Sequence, residues 1–175
     1  MLRCVLYSRM PRSSARRSAQ GFSLLELLIA VAIILTIAAI VIPNLMRSRV
    51  HANEAGAVSN LRTIGTAQTS YQVAYPQVGY ADVLGKLGDP PPNTPPSPAA
   101  AGLLSPGLAC GTQPCAKGGY SFGVSGVSGT PAYRYNVSAV PVIAGQTGVR
   151  SFCSSNENKV TFDPAGGSVC TQDLR

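Results

Sequence analysis

The most prominent hydrophobic feature of the sequence is one long apolar run near the N-terminus. Residues 22–46 are apolar apart from Ser23, Glu26, Thr36 and Asn44. As an α-helix this run would rise about 37 Å at 1.5 Å per residue. The hydrocarbon core of a bilayer is only about 30 Å thick. The run therefore predicts a helix that can cross a membrane.

The helix is predicted to continue as an amphipathic segment over residues 47–75. Apolar residues recur there three, four or seven positions apart, as on one helix face: Val50, Ala57, Val58, Leu61, Ile64, Ala67 and Tyr71. Pro76 ends the helix because it has no N–H to donate. Gly56 and Gly65 each cost about 1 kcal/mol relative to alanine, which favours a packing reason such as close approach of a sheet.

The remaining residues predict a loop followed by short strands. Residues 76–118 are rich in Pro and Gly, and Asp89–Pro98 reads as extended and exposed. Residues 119–175 alternate between apolar and polar positions. The strand candidates are Tyr120–Val124, Ala132–Val140, Val149–Cys153 and Lys159–Phe162. The pattern predicts an α+β fold in which an antiparallel sheet of about four strands packs on the amphipathic helix.

The net charge of +7 is concentrated at the N-terminus. Five of the fourteen basic residues precede Gly21, where there is no acidic residue. Beyond Gly21, nine basic and seven acidic residues leave a net charge of +2. Residues 1–21 are therefore predicted to be a leader that is removed, and the basic cluster places the N-terminus in the cytoplasm. The other cationic residues are scattered, which disfavours nucleic-acid binding except through an assembled filament.

Four of the five cysteines lie in the C-terminal region, whereas Cys4 lies in the leader. An even set in an exported region suggests two disulfide bonds. Three pairings are open; Cys110–Cys115 with Cys153–Cys170 is preferred because both bonds close local loops. Free buried thiols are the alternative. A zinc site is disfavoured because there is no CxxC pair and His51, the only histidine, is far away in sequence.

The segment Gly21-Phe22-Ser23-Leu24-Leu25-Glu26, directly before the apolar run, resembles the cleavage and methylation motif of type IV prepilins. The family also includes the pseudopilins of type II secretion. The resemblance implies the type IV pilin fold, cleavage after Gly21 by a prepilin peptidase, and N-methylation of Phe22. It further implies that Glu26 pairs with the Phe22 amino group of a neighbouring subunit during assembly.

Glu26 and Pro43 are the other candidate assembly residues. A carboxylate within an apolar run is costly in lipid, so Glu26 is expected to have a partner or to reach the interface. Pro43 removes one helix hydrogen bond. It can act as a simple bend or as a point of local melting when subunits pack.

The leading hypothesis is a pilus subunit that polymerises through its N-terminal helix for adhesion, motility or uptake. The implied partners are other copies in a helical filament, the peptidase, an assembly platform with its ATPase, and the inner membrane before assembly. The alternatives are a type II secretion pseudopilin and a single-span anchored binding module that never polymerises. No nucleophile elbow, HExxH or phosphate-binding loop occurs. The chain is predicted to be a non-enzyme without metal or cofactor.

Overall fold

A computed structural model of the chain describes residues 21–167 and 169–174. It contains one long helix, α1 (Leu24–Ala74), a 3₁₀ turn at Leu84–Leu87 and one antiparallel sheet. The strands are β1 (Cys115–Lys117), β2 (Tyr120–Gly129), β3 (Ala132–Pro141), β4 (Ser151–Ser155), β5 (Val160–Asp163) and β6 (Gln172–Asp173). The predicted α+β architecture is confirmed. The predicted leader lies outside the described residues, apart from Gly21.

The described residues divide into two units, of which the first ends at Ile40 and the second begins at Val41. In the first unit, residues 24–40 are helical and almost entirely exposed. By length and composition, α1 contains a segment apolar enough to cross a membrane. This agrees with the interpretation of residues 22–46 as an apolar helix.

The sheet has six strands in sequence order, so the expectation of about four strands is wrong. All four predicted strands are present, and the two additional ones, β1 and β6, lie at the edges of the sheet. With three and two residues, these edge strands are too short to show the alternation that identifies a strand. The end of the predicted loop over residues 76–118 is therefore a strand, β1.

The face of the sheet that packs on α1 is formed by a row of paired residues on neighbouring strands. Phe122 pairs with Ala139, Ala139 with Phe152, and Phe152 with Phe162. The alternation predicted for β3 holds from Tyr135 onward. Tyr133 is exposed instead, because the β2–β3 register shifts near Ser128. Such shifts change which face a side chain occupies.

The core lies between this face and the C-terminal half of α1. The helix contributes buried residues at intervals of three and four, in agreement with the predicted amphipathic face: Ala57, Leu61, Ile64, Ala67 and Tyr71. Buried Gln68 makes two hydrogen bonds of 2.8 Å with the backbone of Ala81, one as donor and one as acceptor. These bonds satisfy a polar side chain in the core. They also fasten the connecting segment, the residues between α1 and β1, to the helix.

The connecting segment is packed on both sides of its proline-rich stretch. Residues 89–98 are mostly exposed, as predicted. The flanking leucines are buried in the core: Leu84, Leu87, Leu104 and Leu108. The backbone N–H groups of Leu103 and Leu104 both donate to the Leu87 carbonyl at 2.8 Å. The segment therefore contributes to the core as well as linking helix and sheet.

The two helix glycines differ in their surroundings. A Cβ at Gly65 would lie 2.6 Å from Oδ1 of Asn158, whereas a Cβ at Gly56 would meet nothing within 4 Å. The expected close approach therefore exists at Gly65 only. Gly56→Ala should raise the free energy of unfolding by about 1 kcal/mol because alanine is the better helix former.

Gly65→Ala is the matched comparison, and it should gain less because Asn158 must move. Urea unfolding of both variants in detergent, followed by far-ultraviolet circular dichroism, measures the difference. Equal stabilisation by the two changes would contradict the role assigned to the Asn158 contact.

Candidate functional site

The candidate processing motif lies at the start of α1. Gly21, Phe22 and Ser23 precede the helix, and all three are exposed. The backbone N–H of Leu27 donates to the Ser23 carbonyl at 3.1 Å, which is the first bond of the helix. Ser23 and Glu26 have the spacing of a capping box. The position of Glu26 in the first turn also suits the partial positive charge there.

The apolar helix that follows is exposed. Every Phe, Leu, Ile, Val and Met side chain from Phe22 to Met46 is open to solvent in the single chain. Burying one such side chain is worth roughly 1.5–3 kcal/mol. This segment therefore requires lipid or other apolar helices around it.

Pro43 lies inside α1, and the helix continues on both sides of it. Glu26 and Pro43 both remain exposed in the single chain. The structure brings neither residue into contact with another predicted site residue. Their roles in assembly stay predictions.

A partly buried ion pair lies on the face of α1 that packs on the sheet, between Glu54 and Arg150. Its Oε1 accepts the backbone N–H groups of Val149 and Arg150, both at 3.1 Å. Its Oε2 accepts Nε of Arg150 at 3.0 Å and Nη2 at 2.6 Å. The Glu54 side chain is 5% exposed and that of Arg150 is 40% exposed. This set of bonds, the Glu54 clamp, fastens the β3–β4 connection to the helix.

Burial raises the pKa of Glu54, but the hydrogen bonds from Arg150 and from the two backbone N–H groups outweigh it. The net pKa is lowered below the ordinary value of 4.5. Folding therefore favours the charged carboxylate. Its contribution to stability is complete above the ordinary pKa and is lost as the pH falls through the lowered pKa of the folded state.

The wild-type chain should consequently lose more stability than Glu54→Gln between about pH 7 and about pH 3. Asp82, whose pKa is lowered mainly by its hydrogen bond to Lys86, titrates in both proteins and cancels in the comparison. Urea unfolding at a series of pH values measures the two slopes. Parallel slopes would show that Glu54 does not carry the acid sensitivity.

Residues 16–42 match the family described as "Prokaryotic N-terminal methylation motif". The matched stretch includes Gly21, Phe22, Glu26 and most of the exposed apolar helix. Two relatives are named as a major component of a type IV wide pilus and as a type IV major pilin protein. Part of the chain is therefore similar in sequence to type IV pilus subunits, and its first helix carries the methylation motif.

Over 57 residues, the chain is 44% identical to the type IV wide pilus major component PilA4 of Thermus thermophilus. The aligned part is 33% of this chain and 44% of PilA4. Over 72 residues, it is 38% identical to the type IV major pilin protein PilA of Myxococcus xanthus, covering 41% of this chain and 32% of that protein. The chain thus matches less than half the length of either relative. No solved structure matches it.

The part of the chain that contains the sheet has two disulfide bonds. Cys110 pairs with Cys115 and Cys153 pairs with Cys170, as chosen from the sequence. The first bond closes the turn before β1, and the second joins β4 to the segment after β5. Within residues 21–167 and 169–174, no group of three His, Cys, Asp or Glu side chains is placed to hold a metal ion.

Sequence reasoning missed the Glu54 clamp, although the sequence contains a signal for it. Glu54 lies three residues before Ala57 and seven before Leu61, so it occupies the face of the helix that packs on the sheet. A carboxylate on a buried face needs a partner. That signal identifies Glu54, but the sequence does not indicate Arg150 as the partner.

Proposed function

We propose that this chain is a structural subunit of a type IV pilus. The observation that supports this most is the exposed apolar helix, which directly follows the methylation motif and continues into a compact, disulfide-bonded domain. A single chain cannot cover this helix. In a bundle of identical subunits, the apolar helices bury one another, while the domains remain outside.

Processing prepares the subunit for this assembly. A prepilin peptidase cuts after Gly21, and Phe22 becomes the N-methylated N-terminus. The irregular, exposed backbone of residues 21–23 supports this proposal, because a peptidase needs an extended segment that it can reach. The basic leader keeps the N-terminus in the cytoplasm, and the apolar helix holds the subunit in the inner membrane.

Glu26 sets the register of assembly. Within the filament it pairs with the positively charged amino group of Phe22 on a neighbouring subunit. A charge buried in apolar surroundings costs roughly 2.5–3.5 kcal/mol on insertion scales. Pairing offsets this cost for both groups only where the two subunits are correctly aligned. Pro43 allows the helix to adjust as the subunits pack.

The role is structural and not catalytic. The subunit depends on the peptidase, on an assembly platform and on its ATPase for extraction from the membrane into the filament. The names of PilA4 and PilA, a pilus component and a major pilin, favour a pilus over a secretion pseudopilus. The assembled filament serves adhesion, motility or uptake at the cell surface.

The decisive experiment is intact-mass analysis and N-terminal sequencing of the chain in filaments sheared from the cell surface. A mature chain that begins at methylated Phe22 would support both processing and export. A chain that retains Met1 and occurs only in membranes would overturn the proposal in favour of an anchored module. A correctly processed chain found in short periplasmic filaments but never in sheared material would identify a pseudopilin instead.

A further inference from the structure

The connection between β3 and β4 exposes apolar side chains beside the helix. Residues 142–149, here called the apolar loop, contain no charged residue. The side chains of Val142, Ile143 and Val149 are each about half exposed. These residues are not needed for the sheet or the core, so their exposure calls for another explanation.

The apolar loop lies next to the part of α1 that follows the apolar run. A cavity of about 230 Å³ separates Gly145, Gln146 and Val149 of the loop from Met46, Arg47 and Val50 of the helix. From Leu24 to Met46 the helix rises about 34 Å at 1.5 Å per residue. A hydrocarbon core of about 30 Å therefore ends close to Met46. Because the loop lies beside Met46, a membrane-spanning helix would bring the loop to the headgroup region.

The loop is held at this level by polar contacts that leave its apolar side chains free. Nδ2 of Asn53 donates to the Thr147 carbonyl at 2.8 Å. Within the loop, the Ile143 N–H donates to Oγ1 of Thr147 at 3.0 Å, and the Thr147 N–H donates to the Ile143 carbonyl at 3.0 Å. The Glu54 clamp fixes Val149. Because these backbone groups are satisfied internally, the loop can enter a less polar environment at a low cost.

The charges around the loop favour an anionic surface. Arg47 and Arg49 are exposed on the adjacent helix turns. The nearest carboxylate of the helix, Glu54, is already paired with Arg150. Cationic side chains at the end of a membrane helix reach for anionic headgroups, whereas apolar neighbours enter the boundary with the acyl chains.

We propose that the apolar loop is a second membrane contact, which rests in the headgroup region of an anionic bilayer while the subunit waits for assembly. This inference rests on the proposed function, because it assumes that the apolar helix spans the membrane. It adds a docking surface on the domain itself, with lipid as its occupant. The contact restrains the domain before extraction into a filament.

The test uses tryptophan as the reporter, since the chain contains none. Ile143→Trp in the full chain is reconstituted into vesicles of phosphatidylethanolamine and phosphatidylglycerol with brominated acyl chains. We expect bromine to quench its fluorescence, more strongly from positions near the headgroups than from chain ends, as for a residue about 5–10 Å below the headgroup level. Neutral phosphatidylcholine vesicles should quench it less, and equal quenching would overturn the proposed charge contribution.

Two further variants make the result decisive. Val73→Trp is the matched control. Val73 is 77% exposed and lies on α1 about 40 Å beyond Met46, at 1.5 Å per residue, and therefore far from the expected membrane surface. It should not be quenched. Ile33→Trp reports on the spanning helix, and its failure to be quenched would contradict membrane anchoring itself. Quenching of the Ile33→Trp variant without quenching of the Ile143→Trp variant would overturn only the loop contact.

Discussion

Glu26→Ala should abolish surface filaments while leaving cleavage after Gly21 intact. If Glu26 pairs as proposed, the substitution leaves the amino group of Phe22 on the neighbouring subunit without a partner in apolar surroundings. The resulting cost of roughly 2.5–3.5 kcal/mol corresponds to a loss of about a hundredfold in each association step. Because the loss recurs at every addition, sheared preparations should contain little or no filament. Immunoblots of sheared and membrane fractions, with the intact mass of the subunit, measure both effects.

Two control variants separate the proposed pairing of Glu26 between subunits from its effect on helix capping. Glu26→Asp keeps the charge and should retain part of the assembly. Ser23→Ala removes the other member of the capping-box pair and should cost only about 1 kcal/mol of helix stability. Normal filaments from Glu26→Ala would refute the pairing role. A loss of filaments from Ser23→Ala as severe as that from Glu26→Ala would indicate that capping, and not pairing, is what matters.

The helix and the central strands could be predicted because their signals are local. On α1, buried residues recur at short intervals from Ala57 to Tyr71, and β3 alternates from Tyr135 onward. Burial on one face imposes these periods directly on the sequence. The prediction of a helix ending near Tyr75 differs from the observed end at Ala74 by a single residue.

What could not be predicted depends on contacts between distant residues or on very short segments. Glu54 and Arg150 are 96 positions apart, and no local pattern links them. The bonds between Gln68 and Ala81 satisfy a buried polar group through the backbone, which any residue at position 81 except proline could provide. The edge strand β6 has two polar residues and depends on its pairing with β5.

The motif at the N-terminus presents the opposite case. The sequence alone singles out Gly21, Phe22 and Glu26 as candidate processing and assembly residues. In the structure of one chain all three are exposed. This follows from the proposed mechanism, in which the functional geometry exists only between subunits. At such a site a sequence motif can be recognised even though a single subunit does not form the proposed contacts.

Glu54→Ala should lower the free energy of unfolding of the domain by about 2–3 kcal/mol. The change removes the acceptor of two backbone N–H groups and the partner of the Arg150 guanidinium. The loss stays below that of a fully buried pair, since the Arg150 side chain is 40% exposed and can turn towards water. Urea unfolding of the full chain in detergent, followed by circular dichroism, measures it.

Glu157→Ala is the matched control, because Glu157 is an exposed carboxylate in the β4–β5 turn. It should change stability by less than about 0.5 kcal/mol. Glu54→Gln should fall between the two, because the amide oxygen can still accept the backbone N–H groups whereas the charge is lost. If Glu54→Ala were no more destabilising than Glu157→Ala, the clamp would not hold the β3–β4 connection. The position of the apolar loop would then depend on the Asn53 hydrogen bond to Thr147 and on the bond from the Val142 N–H to the Gly119 carbonyl.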